Sequence, residues 1–192
     1  MWPWAHLALG YLLFSVYTRW RYGRPPVGEG LIALAVATQL PDFIDKPLAY
    51  WIGVFPTGRA LFHSLLVGLP VLVALGLVAR RYRSPAATGF GIGYASHFVG
   101  DFWYQVLQLE IGETTLFWPV IPAPSYETGS FVEHYRELVS VFSMSDPLAG
   151  VSAFPWFYGQ IAFTVLVFGL WWYEGKPGIE RTVSRVSRSL PR

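Results

Sequence analysis

Cysteine is absent from this 192-residue chain, which excludes disulfides, thiolate metal sites and cysteine nucleophiles. Charge is scarce. Asp, Glu, Lys and Arg make up 14% of residues, against about a quarter in ordinary soluble domains. No Gly-x-Ser-x-Gly elbow exists, so Ser64 beside His63 reads as a helix-start serine bonding backbone rather than as a nucleophile. Gly89-Phe90-Gly91-Ile92-Gly93 has the wrong spacing for a dinucleotide fingerprint and lacks a preceding strand, which leaves helix packing. A basic region ahead of the first apolar stretch is also missing. The basic cluster follows that stretch, which predicts a retained first helix and not a cleaved signal peptide.

What the chain has instead is apolar and aromatic. Hydrophobic residues make up 53%, with 9 Trp and 11 Tyr, and the mean hydropathy is +0.38. That profile predicts a polytopic membrane protein with aromatic interface belts. Five apolar segments can be drawn, at residues 4–17, 27–40, 61–79, 86–107 and 155–173. The first two are short against the ~20 residues of a spanning helix, so flanking residues must extend them or they pack inside the bundle. The expected fold is all-α: one transmembrane bundle of about five helices over residues 1–175. Residues 108–154 form a long extracytoplasmic lid loop between the last two helices, and 176–192 a basic cytoplasmic tail.

Orientation follows from the basic residues. Arg19, Arg21 and Arg24 follow the first segment, Arg80, Arg81 and Arg83 the third, and Lys176, Arg181, Arg185, Arg188 and Arg192 the fifth. Of the 14 Lys and Arg, only Lys46, Arg59 and Arg136 remain for the other side. The positive-inside rule then places the N-terminus outside and the C-terminus in the cytoplasm of a multi-pass cell-membrane protein. The tail arginines recur every three or four residues as one helical stripe, which fits anionic lipid headgroups without invoking nucleic acid.

With that threading, the ionisable residues of the apolar segments fall at one leaflet. His6 enters the first segment from outside, and Asp42 and Asp45 leave the second there. His63 lies in the first turn of the third, in a helix beginning near Thr57. His97 and Asp101 lie in the outer half of the fourth, four residues apart and so on one helical face. Gly89 and Gly93 continue that face and admit a close neighbour. Charge in lipid is costly, so six such groups from four helices should face one another, water or a metal. All are ligands of the kind that hold zinc, manganese or magnesium. The loop from Gln108 to Phe154 carries His134 with Glu133 and Glu137, but a lone loop histidine is more often solvated.

Several motifs occur in order: His6, Leu40-Pro41-Asp42-x-x-Asp45, Arg59-x-x-x-His63-Ser64-Leu65, Gly93-Tyr94-x-Ser96-His97-x-x-x-Asp101 and Leu116-Phe117-Trp118-Pro119. Over residues 1–122 the chain resembles the small bacterial and archaeal membrane-bound, metal-dependent hydrolases, also called LexA-binding inner-membrane hydrolases. The resemblance implies a helical membrane protein with His6, Asp42, Asp45, His63, His97 and Asp101 at the family's metal-site positions. Around the second histidine the family reads His-Arg-Gly-x-Thr-His-Ser, whereas here Gly58 replaces the first His and Phe62 the Thr. The repressor partner is not carried over, because it would not meet a site on the outer face.

The expectation is metal-assisted hydrolysis. His63, His97, Asp42 and Asp101 hold a divalent ion, zinc first and manganese or magnesium as alternatives, with His6 a further ligand. Asp45 or His6 completes a second metal site or acts as general base, and Arg59 orients a phosphate or carboxylate. A site at headgroup level favours an amphiphilic substrate such as a phospholipid or lipid-linked phosphoester. The alternative class is non-enzymatic: an ion- or proton-translocating unit, or a scaffold pinned by a polar network. Apolar inner halves such as Val71-Leu72-Val73-Ala74-Leu75 favour a one-sided site over a carrier.

Overall fold

The computed structural model describes residues 1–107, 115–122, 139 and 154–178, with backbone alone at 104–107. Five helices are described: α1 (Pro3–Tyr22), α2 (Glu29–Tyr50), α3 (Leu65–Tyr82), α4 (Pro85–Leu107) and α5 (Pro155–Tyr173). Among the described residues there is no strand, so the all-α expectation holds. Most of the expected lid loop, His134 and the tail arginines lie outside these residues.

The two short apolar segments are parts of longer helices. α1 has 20 residues and opens on Pro3, whose missing N–H costs nothing in a first turn; it closes at Gly23, in the left-handed region at φ 67°. α2 has 22 residues and runs through Pro41 and Pro47 to Tyr50. By local chemistry Pro41 ends this segment at Leu40, because a proline removes a helical hydrogen bond. In the fold, packing against α4 carries the helix past that lost bond, so Asp42 and Asp45 stand on α2 itself.

Glycine sets the helix spacing. A Cβ added at Gly89 of α4 would lie 1.9 Å from the Gly30 carbonyl of α2, and one at Gly93 would lie 2.6 Å from the Leu34 carbonyl. The two backbones therefore touch along the glycine face, as the four-residue spacing predicted. On α1, a Cβ at Gly10 would meet Thr38 Cγ2 at 2.5 Å. These approaches bring α1, α2 and α4 around one interior.

That interior is unusually polar. His6, Thr38, Asp45, Ser64, Ser96 and His97 are fully enclosed, beside Ala5, Leu34, Ala37 and Tyr94. The exterior is apolar: Leu69, Val73 and Leu77 of α3, Val165, Leu166 and Phe168 of α5, and Ile32 and Val36 of α2 all face outward. By length and composition α3 is the one described helix apolar enough to cross a membrane. α1, α2 and α4 carry the polar interior instead.

α5 is fastened to α1 at both ends. The Trp2 amide donates to Gln160 Oε1 at 2.8 Å. At the far end Glu174 accepts hydrogen bonds from Tyr11, from Ser15 Oγ at 2.6 Å and from Arg19 Nε at 2.9 Å. Burial alone would raise the Glu174 carboxyl. The hydroxyls of Ser15 and Tyr11 and the Arg19 guanidinium outweigh it and hold the pKa below the ordinary value.

Candidate metal centre

Two histidines are oriented by their Nδ1 atoms. His97 Nδ1 lies 2.8 Å from the Thr38 carbonyl oxygen of α2. A carbonyl only accepts, so Nδ1 carries the hydrogen and Nε2 is the free face of the ring. His63 Nδ1 lies 2.8 Å from Asp45 Oδ2, which fixes that ring the same way. The two Nε2 atoms then face each other at 3.0 Å. As neutral rings they would oppose lone pair to lone pair, a repulsive contact unless a proton or cation stands between them.

Carboxylates close around this pair. Asp42 Oδ1 is 3.4 Å from His63 Nε2, and Asp101 Oδ2 is 3.5 Å from His63 Nε2 and 3.7 Å from His97 Nε2. Burial alone would depress the His63 imidazole; the facing carboxylates of Asp42 and Asp45, with the charge of Asp101, outweigh it and raise its pKa. His6 stacks on His97 with ring centroids 4.0 Å apart. Its Nε2 lies 3.1 Å from Asp101 Oδ1 in an ion-pair contact, whereas Nδ1 has no hydrogen-bond partner although the residue is fully buried. A buried polar atom without a partner asks for a ligand.

Two overlapping triads result, His6–Asp42–His97 and His63–His97–Asp101, with the donor atoms of each within 4.8 Å of one another. Nitrogen and carboxylate donors at this density suit zinc and, with water, manganese or magnesium. Three cations border the cluster. Lys46 Nζ is 2.8 Å from Asp42 Oδ2, the terminal ammonium 2.6 Å from Asp101 Oδ1, and Arg59 Nε 3.6 Å from Asp101 Oδ2.

The residues singled out in the sequence thus meet in one place, with differences. His63 is not in a helical turn. α3 starts at Leu65 with Ser64 as N-cap, and residues 53–64 are non-helical, so Arg59 and His63 share no helical face. Ser64 Oγ accepts from the Leu66 amide and donates to the Trp118 carbonyl at 2.6 Å. The Leu116-Phe117-Trp118 turn is thereby docked beside the site. Asp45 accepts from the Phe62 and His63 amides as well as from His63 Nδ1, so its oxygens hold the loop. Phe62 packs against the cluster of Ala37, Tyr94 and Phe98, while its carbonyl accepts from the Tyr94 hydroxyl at 3.0 Å. A Cβ at Gly58 would meet the Tyr50 hydroxyl at 2.7 Å and Lys46 Cγ at 3.1 Å. The Thr38 carbonyl, the terminal ammonium and Glu174 carry no motif signal; only the assembled helices reveal them.

Fold and site together define a helical bundle with an apolar exterior and an enclosed His/Asp centre. The family described as YdjM inner membrane protein matches residues 1–177, and the chain belongs to that family. This is an inner-membrane family, so the chain is a membrane protein. The match includes α5, which the motif resemblance over residues 1–122 had left out. No curated protein and no solved structure matches the chain.

Proposed function

We propose that the protein is a multi-pass inner-membrane, metal-dependent hydrolase whose centre lies at the outer leaflet. The N-terminus is outside and the C-terminus in the cytoplasm. One observation carries the reading: the Nε2 atoms of His63 and His97 face each other at 3.0 Å with both Nδ1 atoms engaged, while Asp42, Asp101 and His6 surround them. Packing alone does not call for this arrangement, because serine or threonine would pin helices at lower desolvation cost.

His63, His97, Asp42, Asp101 and His6 would hold the ion. A divalent ion there supplies Lewis acidity and makes water acidic enough to react near neutral pH. The remaining steps belong to the chain. Asp45, read from sequence as a second-site ligand or a general base, has its oxygens on the His63 ring and the Phe62 and His63 amides, which supports a positioning role. Arg59 presents guanidinium donors beside Asp101 and orients an anionic group of the substrate. The apolar exterior supports an amphiphilic substrate, with a phospholipid or lipid-linked phosphoester as the class.

A second reading has its own observation. Asp42 and Asp101 already have cation partners in Lys46 and the terminal ammonium, as a self-contained polar network would require. Metal analysis of detergent-purified protein separates the two. Stoichiometric zinc in the wild type, lost in His63→Ala and Asp101→Ala, supports the metal centre. A wild type that stays metal-free after incubation with zinc supports the network.

A further inference from the structure

We propose that the centre holds one divalent ion and that Lys46 occupies the place of a second. The inference rests on the metal reading above and concerns only how many ions the residues admit.

Three observations converge on it. The two candidate triads share His97, whose Nδ1 is committed to the Thr38 carbonyl. A single nitrogen, Nε2, is left for both triads, and one imidazole nitrogen ligates one ion. Filling either triad therefore takes a ligand from the other. Next, Lys46 Nζ stands 2.8 Å from Asp42 Oδ2, on the opposite oxygen from the one facing His63. A carboxylate that bridges two ions through its two oxygens would use that oxygen for the second, and the ammonium holds it. Finally, Lys46 is held where it stands: its stem lies, with the Tyr50 hydroxyl, close against Gly58, where a Cβ would come within 3.1 Å of Lys46 Cγ.

Charge points the same way. Asp42, Asp45 and Asp101 are balanced by Lys46, Arg59 and the terminal ammonium, so with neutral imidazoles the formal charges of the cluster cancel. One divalent ion already makes the site positive. A second would leave a large positive charge in an enclosed site, where like charges repel strongly.

The test is zinc titration of chelator-stripped, detergent-purified protein, with bound zinc counted per chain, for wild type, Lys46→Gln and Lys46→Arg. Wild type should bind one ion per chain. Lys46→Gln, which removes the competing charge, should bind its first ion about 10-fold more tightly and admit a second. Lys46→Arg keeps the charge and should stay at one ion with affinity close to wild type. Two ions in the wild type overturn the proposal. So does a Lys46→Gln protein with one ion and unchanged or weaker affinity, which marks Lys46 as a mere support for Asp42. A wild type that binds no zinc fails the metal reading itself and removes this proposal with it.

Discussion

His63 Nε2 and His97 Nε2 stand 3.0 Å apart, each presented by a partner on the far side of its ring. For His97 that partner is a backbone carbonyl of α2, and for His63 it is the carboxylate of Asp45, also on α2. One helix therefore aims two rings that it does not carry. The centre is only as well defined as the contact of α2 with α4 and with the 57–64 loop.

Asp45→Asn tests that dependence. The asparagine keeps an oxygen but loses the charge and one acceptor, leaving His63 Nδ1 or a buried amide poorly paired. The expected outcome is a 10- to 100-fold loss of zinc affinity with a destabilisation of about 3 kcal/mol. Zinc titration and thermal unfolding in detergent measure the two effects. An unchanged affinity would show that His63 is held by other contacts.

Gly89→Ala should separate α2 from α4. Its methyl would stand 1.9 Å from a backbone oxygen, which cannot swing aside as a side chain can, so the cost is about 3 kcal/mol by overpacking. Zinc affinity should fall in parallel, because the Thr38 carbonyl leaves His97. Gly76→Ala on α3 meets nothing within 4 Å and should be neutral or stabilise by up to about 1 kcal/mol. Melting temperatures of the two variants in one detergent give the comparison.

Glu174 makes stability depend on pH at the end of the bundle away from the His/Asp cluster. Its carboxyl is held below the ordinary 4.5, so the folded state favours the ionised form. That contribution is fully present above about pH 4.5 and is lost as pH falls through the depressed folded-state value. Glu174→Gln should cost about 1–2 kcal/mol at pH 7. Melting temperatures from pH 7 downward should show the gap from wild type narrowing below pH 4.5. A gap that widens on acidification would refute the assignment.

The absence of cysteine makes single-cysteine topology mapping direct. Val54 and Tyr82 are both well exposed and lie before and after α3. With the N-terminus outside, Val54→Cys should react with an impermeant thiol reagent on intact cells. Tyr82→Cys should react only after permeabilisation. The reverse pattern would overturn the orientation.

Much of the centre was legible in the chain. His6, Asp42, Asp45, His63, His97 and Asp101 stood out because ionisable groups in apolar runs are rare and costly. The i,i+4 relation of His97 and Asp101 and the glycine face behind them followed from helical period alone. The end of α2 did not follow. Pro41 is a break signal by its local chemistry, and only packing against α4 makes the continued helix worth a lost hydrogen bond. The same holds for the start of α3: Thr57 after Pro56 has a capping pattern, yet Ser64 is the cap, because Asp45 and Tyr94 hold residues 62–63 in another conformation.

The sequence by itself determined the helical class, the list of candidate ligands and the glycine spacing that lets backbones touch, because each depends on residue type and period within one segment. Tertiary structure alone decided which nitrogen of each histidine is free, that Asp45 positions a ring, and that Lys46 stands on Asp42 in the space beside Gly58. Those are distances between atoms on different elements, or across turns of a helix that local signals would have ended, and no local rule contains them.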